Sequence, residues 1–234
     1  MARKPPYAAS RAQEREYYRQ LRKVARHVGQ LTEMYQDGAT LRPGYQRAIV
    51  AYAEQLGPWA EAVAAFMLGN VSRTNANAWR EASKEIGRQL RAAPQLPTAL
   101  ALQAEQVSLI TSLPIDAAAR AQKLAMEAAT GGKRADEVAR EIGRTGEVTD
   151  SRAMLIARTE VARSNALINQ ARSESVGSTH YIWRTAEDSD VRSSHAQMEG
   201  VVVAWAEPPT LDDGTTTHAG QIYNCRCFAE PIIN

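Results

Sequence analysis

Apolar residues recur at three- and four-residue steps through most of this chain, and the period changes only in its last third. From about Ser10 onward, Tyr17, Leu21, Val24, Val28 and Leu31 form an apolar stripe that predicts one long helix. Asp37-Gly38 and Pro43-Gly44 interrupt it, because such pairs favour turns. Tyr45 to Leu56 and Trp59 to Leu90 read as two further helices, with Gly57-Pro58 as the hinge between them. Ala60, Val63, Ala64, Met67 and Leu68 then belong to a helix-bundle core rather than a ligand site. Pro94 and Pro97 close this segment, and another helix is expected from Thr98 to Ser112. Leu113-Pro114 reads as the opening of a second domain, with helices near Asp116 to Ala129 and Arg134 to Ile142. The intervening Thr130-Gly131-Gly132-Lys133 lacks both the spacing and the preceding strand of a phosphate-binding loop, so a turn is expected.

A long helix is predicted from Asp150 to Ser175, where Met154, Ala157, Val161, Ile168 and Ala171 take one face and arginines the others. Gly177 ends it, and His180 to Trp183 has the β-branched and aromatic content of a strand. Asp188 or Ser189 is placed to cap a short helix reaching about Met198, on which Asp188, Arg192 and His195 share a face. Gly200 ends that helix. Val201 to Trp205 reads as a second strand, Pro208 to Gly220 as a loop, and Gln221 to Phe228 as a third strand or tight turn. The fold class is therefore α+β: a helical arm over residues 1–36, a helical region over 37–112, and a small α+β domain with a short sheet over 113–234.

Composition narrows the class without naming a function. The chain is 44% hydrophobic and 23% charged, ordinary values for a folded protein, and its formal charge of +2 does not suit a protein that coats nucleic acid. No stretch reaches the roughly 20 apolar residues of a membrane span, and the N-terminus has no apolar core of a secretory signal. A cytoplasmic protein is expected. The basic residues Arg11, Arg15, Arg19, Arg22, Lys23 and Arg26 concentrate on the first helix, with Arg3 and Lys4 ahead of it in the same basic segment, 1–36. They read either as a solvated face or as a contact for DNA or an acidic protein.

Both cysteines lie in one Cys225-x-Cys227, which argues against a disulfide framework. In extended chain the two side chains point the same way, so Cys225 and Cys227 with His195, completed by His218 or Asp190, would make a tetrahedral zinc shell. Plain buried thiols are the alternative, and a strained disulfide between them a third. The pattern fixes no cofactor; a structural zinc is the one it allows. Asp188, Asp190, Arg192 and His195 could also serve a metal-dependent hydrolase or nuclease. They serve equally as a cap, an ion pair and a hydrogen-bond hub, and neither a nucleophile motif nor a glycine-rich cofactor loop supports catalysis. Glu160 or Arg163 is expected to pair across to Arg192 or Asp190 and so lock the long helix onto the sheet.

The ordered fragments A-R-T-E at 157–160, W-R-T-A-E-D-S-D-V-R-S-S-H at 183–195, G-V-V at 200–202 and N-C-R-C at 224–227 resemble the phage head morphogenesis domain, the family of phage Mu protein F. The resemblance runs from about Leu113 to Phe228 and gives Glu160, Trp183, Asp188, Asp190, Arg192, His195 and Gly200 as its structural cluster. The polar loop Thr210 to Gly220 is longer than the proline-rich lead expected before the cysteines. The resemblance implies a non-enzymatic minor head protein of the virion, placed in the head interior near the portal vertex after assembly in the host cytoplasm. Its implied partners are the portal protein, a major capsid or scaffold protein, and packaged DNA, with no membrane. Other functional classes open to the sequence are a metal-dependent hydrolase acting on DNA and a DNA-binding module using the first helix.

Overall fold

A computed structural model describes residues 7–85, 96–131 and 134–233. Arg3, Lys4, Leu90, Pro94 and the Gly132-Lys133 pair lie outside these residues.

The three-to-four residue period gives α1 (Arg11–Tyr35), α2 (Tyr45–Gln55), α3 (Gly57–Glu85), α4 (Leu96–Ala129), α5 (Ala135–Gly143) and α6 (Thr145–Ser175). Between α1 and α2 the expected break is a two-residue ladder, β1 (Gln36–Asp37) with β2 (Thr40–Leu41), turned by Gly38 at φ 57°. Of the α1 stripe, Tyr17, Leu21, Val24 and Val28 are buried, as are the expected core residues Ala60, Val63, Ala64, Met67 and Leu68.

Two sequence expectations need correction. The helix expected to stop at Ser112 continues through Pro114 to Ala129. An internal proline removes one backbone donor and crowds the preceding turn, at a cost of about 3 kcal/mol. Ile110, Leu113, Ala117, Ala118 and Ala121 are buried on both sides of it, and their burial outweighs that cost. On α6, Met154 is exposed while Arg172 is buried, so the apolar stripe is not the whole buried face. Of the two forms expected for Gln221 to Phe228, residues 221–227 take the turn, and the third strand begins at Phe228.

The described residues fall into two compact units. One takes in 15–64 and 104–157, and is helical apart from β1 and β2. Its core includes Tyr45, Ile49, Ala118 and Ala121, and a second cluster of Leu124, Val138 and Ile142. Gly29 and Gly146 let α1 and α6 approach closely here: a Cβ on Gly146 would stand 2.9 Å from Gly29 Cα.

The other unit takes in 1–14, 65–103 and 158–234 and holds the sheet. β3 (His180–Arg184) is central, flanked antiparallel by β4 (Val202–Ala204) and β5 (Phe228–Pro231). Alternation along β3 buries Tyr181 and Trp183, which join Val203, Trp205, Leu211, Ala219, Cys225, Cys227 and Ala229 in one cluster. Behind it runs a buried polar layer. Asn169 Nδ2 donates to Ala229 O and its Oδ1 accepts from Trp79 Nε1; Arg172 donates to Asn75 Oδ1 and to Ser72. These bonds tie α3, α6 and β5 together.

Candidate functional site

The turn after β3 decides where the motif side chains go. Glu187 adopts φ 52°, and Asp188 Oδ1 accepts the Asp190 amide at 3.2 Å, closing a local turn. The expected helix therefore does not begin at Asp188 or Ser189. It starts at Ser193 as α7 (Ser193–Ala196), with no side-chain cap, and Asp188, Arg192 and His195 do not share a helical face. The physical reason is Arg226. Its guanidinium forks onto the Asp188 carboxylate at 2.5 and 2.6 Å and reaches Asp190 Oδ2 at 3.1 Å, so the carboxylate that would cap a helix is engaged across the turn. Arg11 adds a looser contact to Asp188 at 3.7 Å.

α7 turns His195 inward, where its ring meets Trp183 edge to face, with centroids 5.7 Å apart. Nδ1 lies 3.4 Å from Cys225 Sγ and 3.5 Å from Cys227 Sγ. The two cysteines do not converge through extended chain, as their spacing had suggested. They converge through a turn in which Asn224 takes φ 54° and its amide donates to Thr159 Oγ1 at 3.0 Å, while the Cys227 amide donates to Cys225 Sγ at 3.4 Å. Gly220, at φ 82°, leaves room beneath the turn: a Cβ there would sit 2.7 Å from Cys227 O.

His195, Cys225 and Cys227 are 2%, 3% and 6% exposed, and their ligand atoms lie within 4.8 Å of one another. The Cys225 thiol is pushed down to about 4, first by the hydrogen bond from the Cys227 thiol and also by His195, against the cost of burial. Cys227 is pushed up, chiefly because it keeps its proton for that same bond and because it is buried. A cavity of about 20 Å³ opens beside the two cysteines, lined by Asp190, Val191, Arg192, Asn224 and Arg226. Arg192 lies over the Tyr223 ring at 4.7 Å and donates to Tyr223 O.

The remaining sequence candidates sit elsewhere or act otherwise. His218 is buried, but its Nδ1 meets Tyr181 Oη at 3.1 Å and it belongs with Tyr181 and Trp205, not with the thiols. Burial lowers its pKa. Asp190 is held by Arg226 and does not join the three-residue group. Glu160 is buried and pairs with Arg163 one turn along its own helix at 3.4 Å. The expected cross-pairing is replaced, because Arg192 is committed to Tyr223 and Asp190 to Arg226. Gly200, at φ 79°, donates its amide to Trp183 O at 2.9 Å, which fixes the return into β4.

Arg11, Arg15, Arg19, Arg22, Lys23 and Arg26 are all exposed on α1. Arg19 pairs with Glu16 and Arg22 with Asp150, so part of this positive charge is already answered within the protein. Sequence reasoning passed over Arg226, although an arginine between two cysteines, downstream of Asp188 and Asp190, is a signal for such a fork. It also passed over the Asn75, Asn169 and Arg172 layer, for which the sequence carries no local signal.

Residues 119–230 match the family model described as Phage Mu protein F like protein. An uncharacterized protein of Haemophilus influenzae is 34% identical over 175 residues, an overlap covering 71% of this chain and 38% of the relative. The chain therefore spans well under half the length of that relative. No solved structure matches it.

Proposed function

Residues 119–230 form a domain of the phage Mu protein F-like, head morphogenesis family, and from this premise we propose that the chain is a minor head protein of a tailed phage. In this reading it is a low-copy virion component at the inner capsid surface and portal vertex, acting in head assembly and in DNA packaging or ejection without enzymatic activity. Its partners are the portal protein and a major capsid or scaffold protein.

One observation carries the structural, non-enzymatic reading. The motif residues bond to each other: Thr159 to Asn224, Asp188 and Asp190 to Arg226, His195 to both cysteines, and Trp183 to Gly200. Side chains engaged in this way hold a fold together. Among the described residues, no helix is long and apolar enough to cross a membrane.

The test is co-expression of the chain with the portal, capsid and scaffold genes of the same phage genome, followed by mass spectrometry of purified heads. The chain should be found at a few copies per head, and deleting it should lower the yield of DNA-filled heads. Heads that lack it, and fill normally without it, would remove the proposal. The hydrolase alternative predicts metal-dependent cleavage of DNA by the purified chain. The DNA-binding alternative predicts affinity that falls steeply with salt and with charge reversal at Arg15 and Lys23.

A further inference from the structure

We propose that His195 Nδ1, Cys225 Sγ and Cys227 Sγ hold one zinc ion, whose fourth position opens to the small cavity beside Asp190, Arg192 and Arg226. The inference concerns this chain alone and does not depend on a role in heads.

The distances are those of a shared ion. Zinc with Zn–S near 2.3 Å and Zn–N near 2.0–2.1 Å, at tetrahedral angles, sets sulfur and nitrogen about 3.5–3.6 Å apart. The observed separations are 3.4 and 3.5 Å, nearly equal for the two sulfurs. Two sulfurs at matched distance from one nitrogen can take three corners of a coordination tetrahedron with it, and all three atoms lie within 4.8 Å of one another. Nε2 of His195 is buried and has no partner among the described residues, so the sulfurs are the ring's one polar commitment.

The donor set selects the metal. Two thiolates and an imidazole favour a borderline-soft divalent ion over magnesium or calcium. Two thiolate charges and one Zn²⁺ sum to zero, so a set of ligands buried this deeply can close around the ion without a large desolvation cost. No other His, Cys, Asp or Glu of the described residues joins the three. The fourth ligand therefore comes from the cavity, which has room for about one water molecule. Of the two guanidinium groups that line that cavity, Arg226 is already matched by Asp188 and Asp190, while Arg192 meets a backbone carbonyl, so it is Arg192 that favours an anionic donor there: hydroxide, a small anion, or a carboxylate brought by a partner.

The test uses the untagged chain, purified without added metal, with its zinc measured by plasma mass spectrometry and a parallel sample reconstituted with Co²⁺. The expected result is about one zinc per chain. The cobalt form should show ligand-field bands of tetrahedral intensity, a sulfur-to-cobalt charge-transfer band, and a shift of the former on adding azide. His195→Ala and Cys225→Ser should each lose the ion. If a variant fails to fold, the wild-type cobalt spectrum decides. Metal far below one per chain, a cobalt spectrum with no sulfur band, no response to azide, or a folded Cys225→Ser that keeps its zinc would each overturn the proposal.

Discussion

Replacing Gly220 with alanine should destabilise the sheet-bearing unit by about 2–5 kcal/mol, and the structure separates this cost into two parts. Gly220 has φ 82°, a left-handed conformation that costs a residue with a Cβ about 1–2 kcal/mol. The added Cβ would also stand 2.7 Å from Cys227 O and 3.3 Å from Ala166 Cβ. Neither obstacle is the free end of a flexible side chain, so backbone must move, and overpacking of this kind costs about 1–3 kcal/mol. Gly214 is the internal control. Its φ is 81°, yet an added Cβ meets nothing within 4 Å, so Gly214→Ala should show only the conformational part. Urea unfolding followed by tryptophan fluorescence reads the effect directly, since Trp183 and Trp205 are buried in the cluster above Gly220. Equal losses in the two variants would refute the steric part of this reasoning. A Gly220→Ala chain as stable as wild type would refute all of it.

The other predictions are smaller in scope. Asn169→Ala leaves Trp79 Nε1 and Ala229 O without partners, and at about 1–3 kcal/mol for each stranded group it should cost about 2–6 kcal/mol in the same denaturation assay. Gly146→Ala should cost about 1–3 kcal/mol by thermal melting, because its Cβ would press on Gly29 Cα. Gly69→Ala, exposed within α3 and free of neighbours, should raise stability by about 0.5–1 kcal/mol. Burial lowers the pKa of His218, so between that lowered value and 6.5 the unfolded chain binds more protons than the folded one. Stability should thus fall as pH drops below about 6.5. His218→Gln should flatten that slope in melts at pH 5 to 7, and an unchanged slope would assign the acid sensitivity to another group.

The helices were legible because their apolar period is local. The stop at Gly177, the left-handed turn at Gly200 and the hinge at Gly57-Pro58 were legible because backbone conformation there depends on one or two residues, although the short helix before Gly200 ends already at Ala196. The continuation of α4 through Pro114 was not, since the buried contacts that offset a proline lie elsewhere in the chain. Arg172 reads as a surface cation in sequence, and its partner Asn75 stands 97 residues away. In the site, two lone cysteines and one upstream histidine were readable as a set. The fork from Arg226 to Asp188 was not foreseen, and it was this bond that cancelled the expected helix cap and reshaped residues 187–192.

The sheet-bearing unit draws on three separated stretches, and its last strand, Phe228–Pro231, supplies both the second neighbour of β3 and the carbonyl that Asn169 binds. During synthesis, α3 and α6 leave the ribosome well before that strand exists. The interior that will surround Trp183 must wait, partly open, for residues close to Asn234. Long-range closure of this kind is slow and leaves apolar surface uncovered in the interval. A chain cut just before Phe228 should accordingly be recovered in aggregates rather than as a slightly weakened protein.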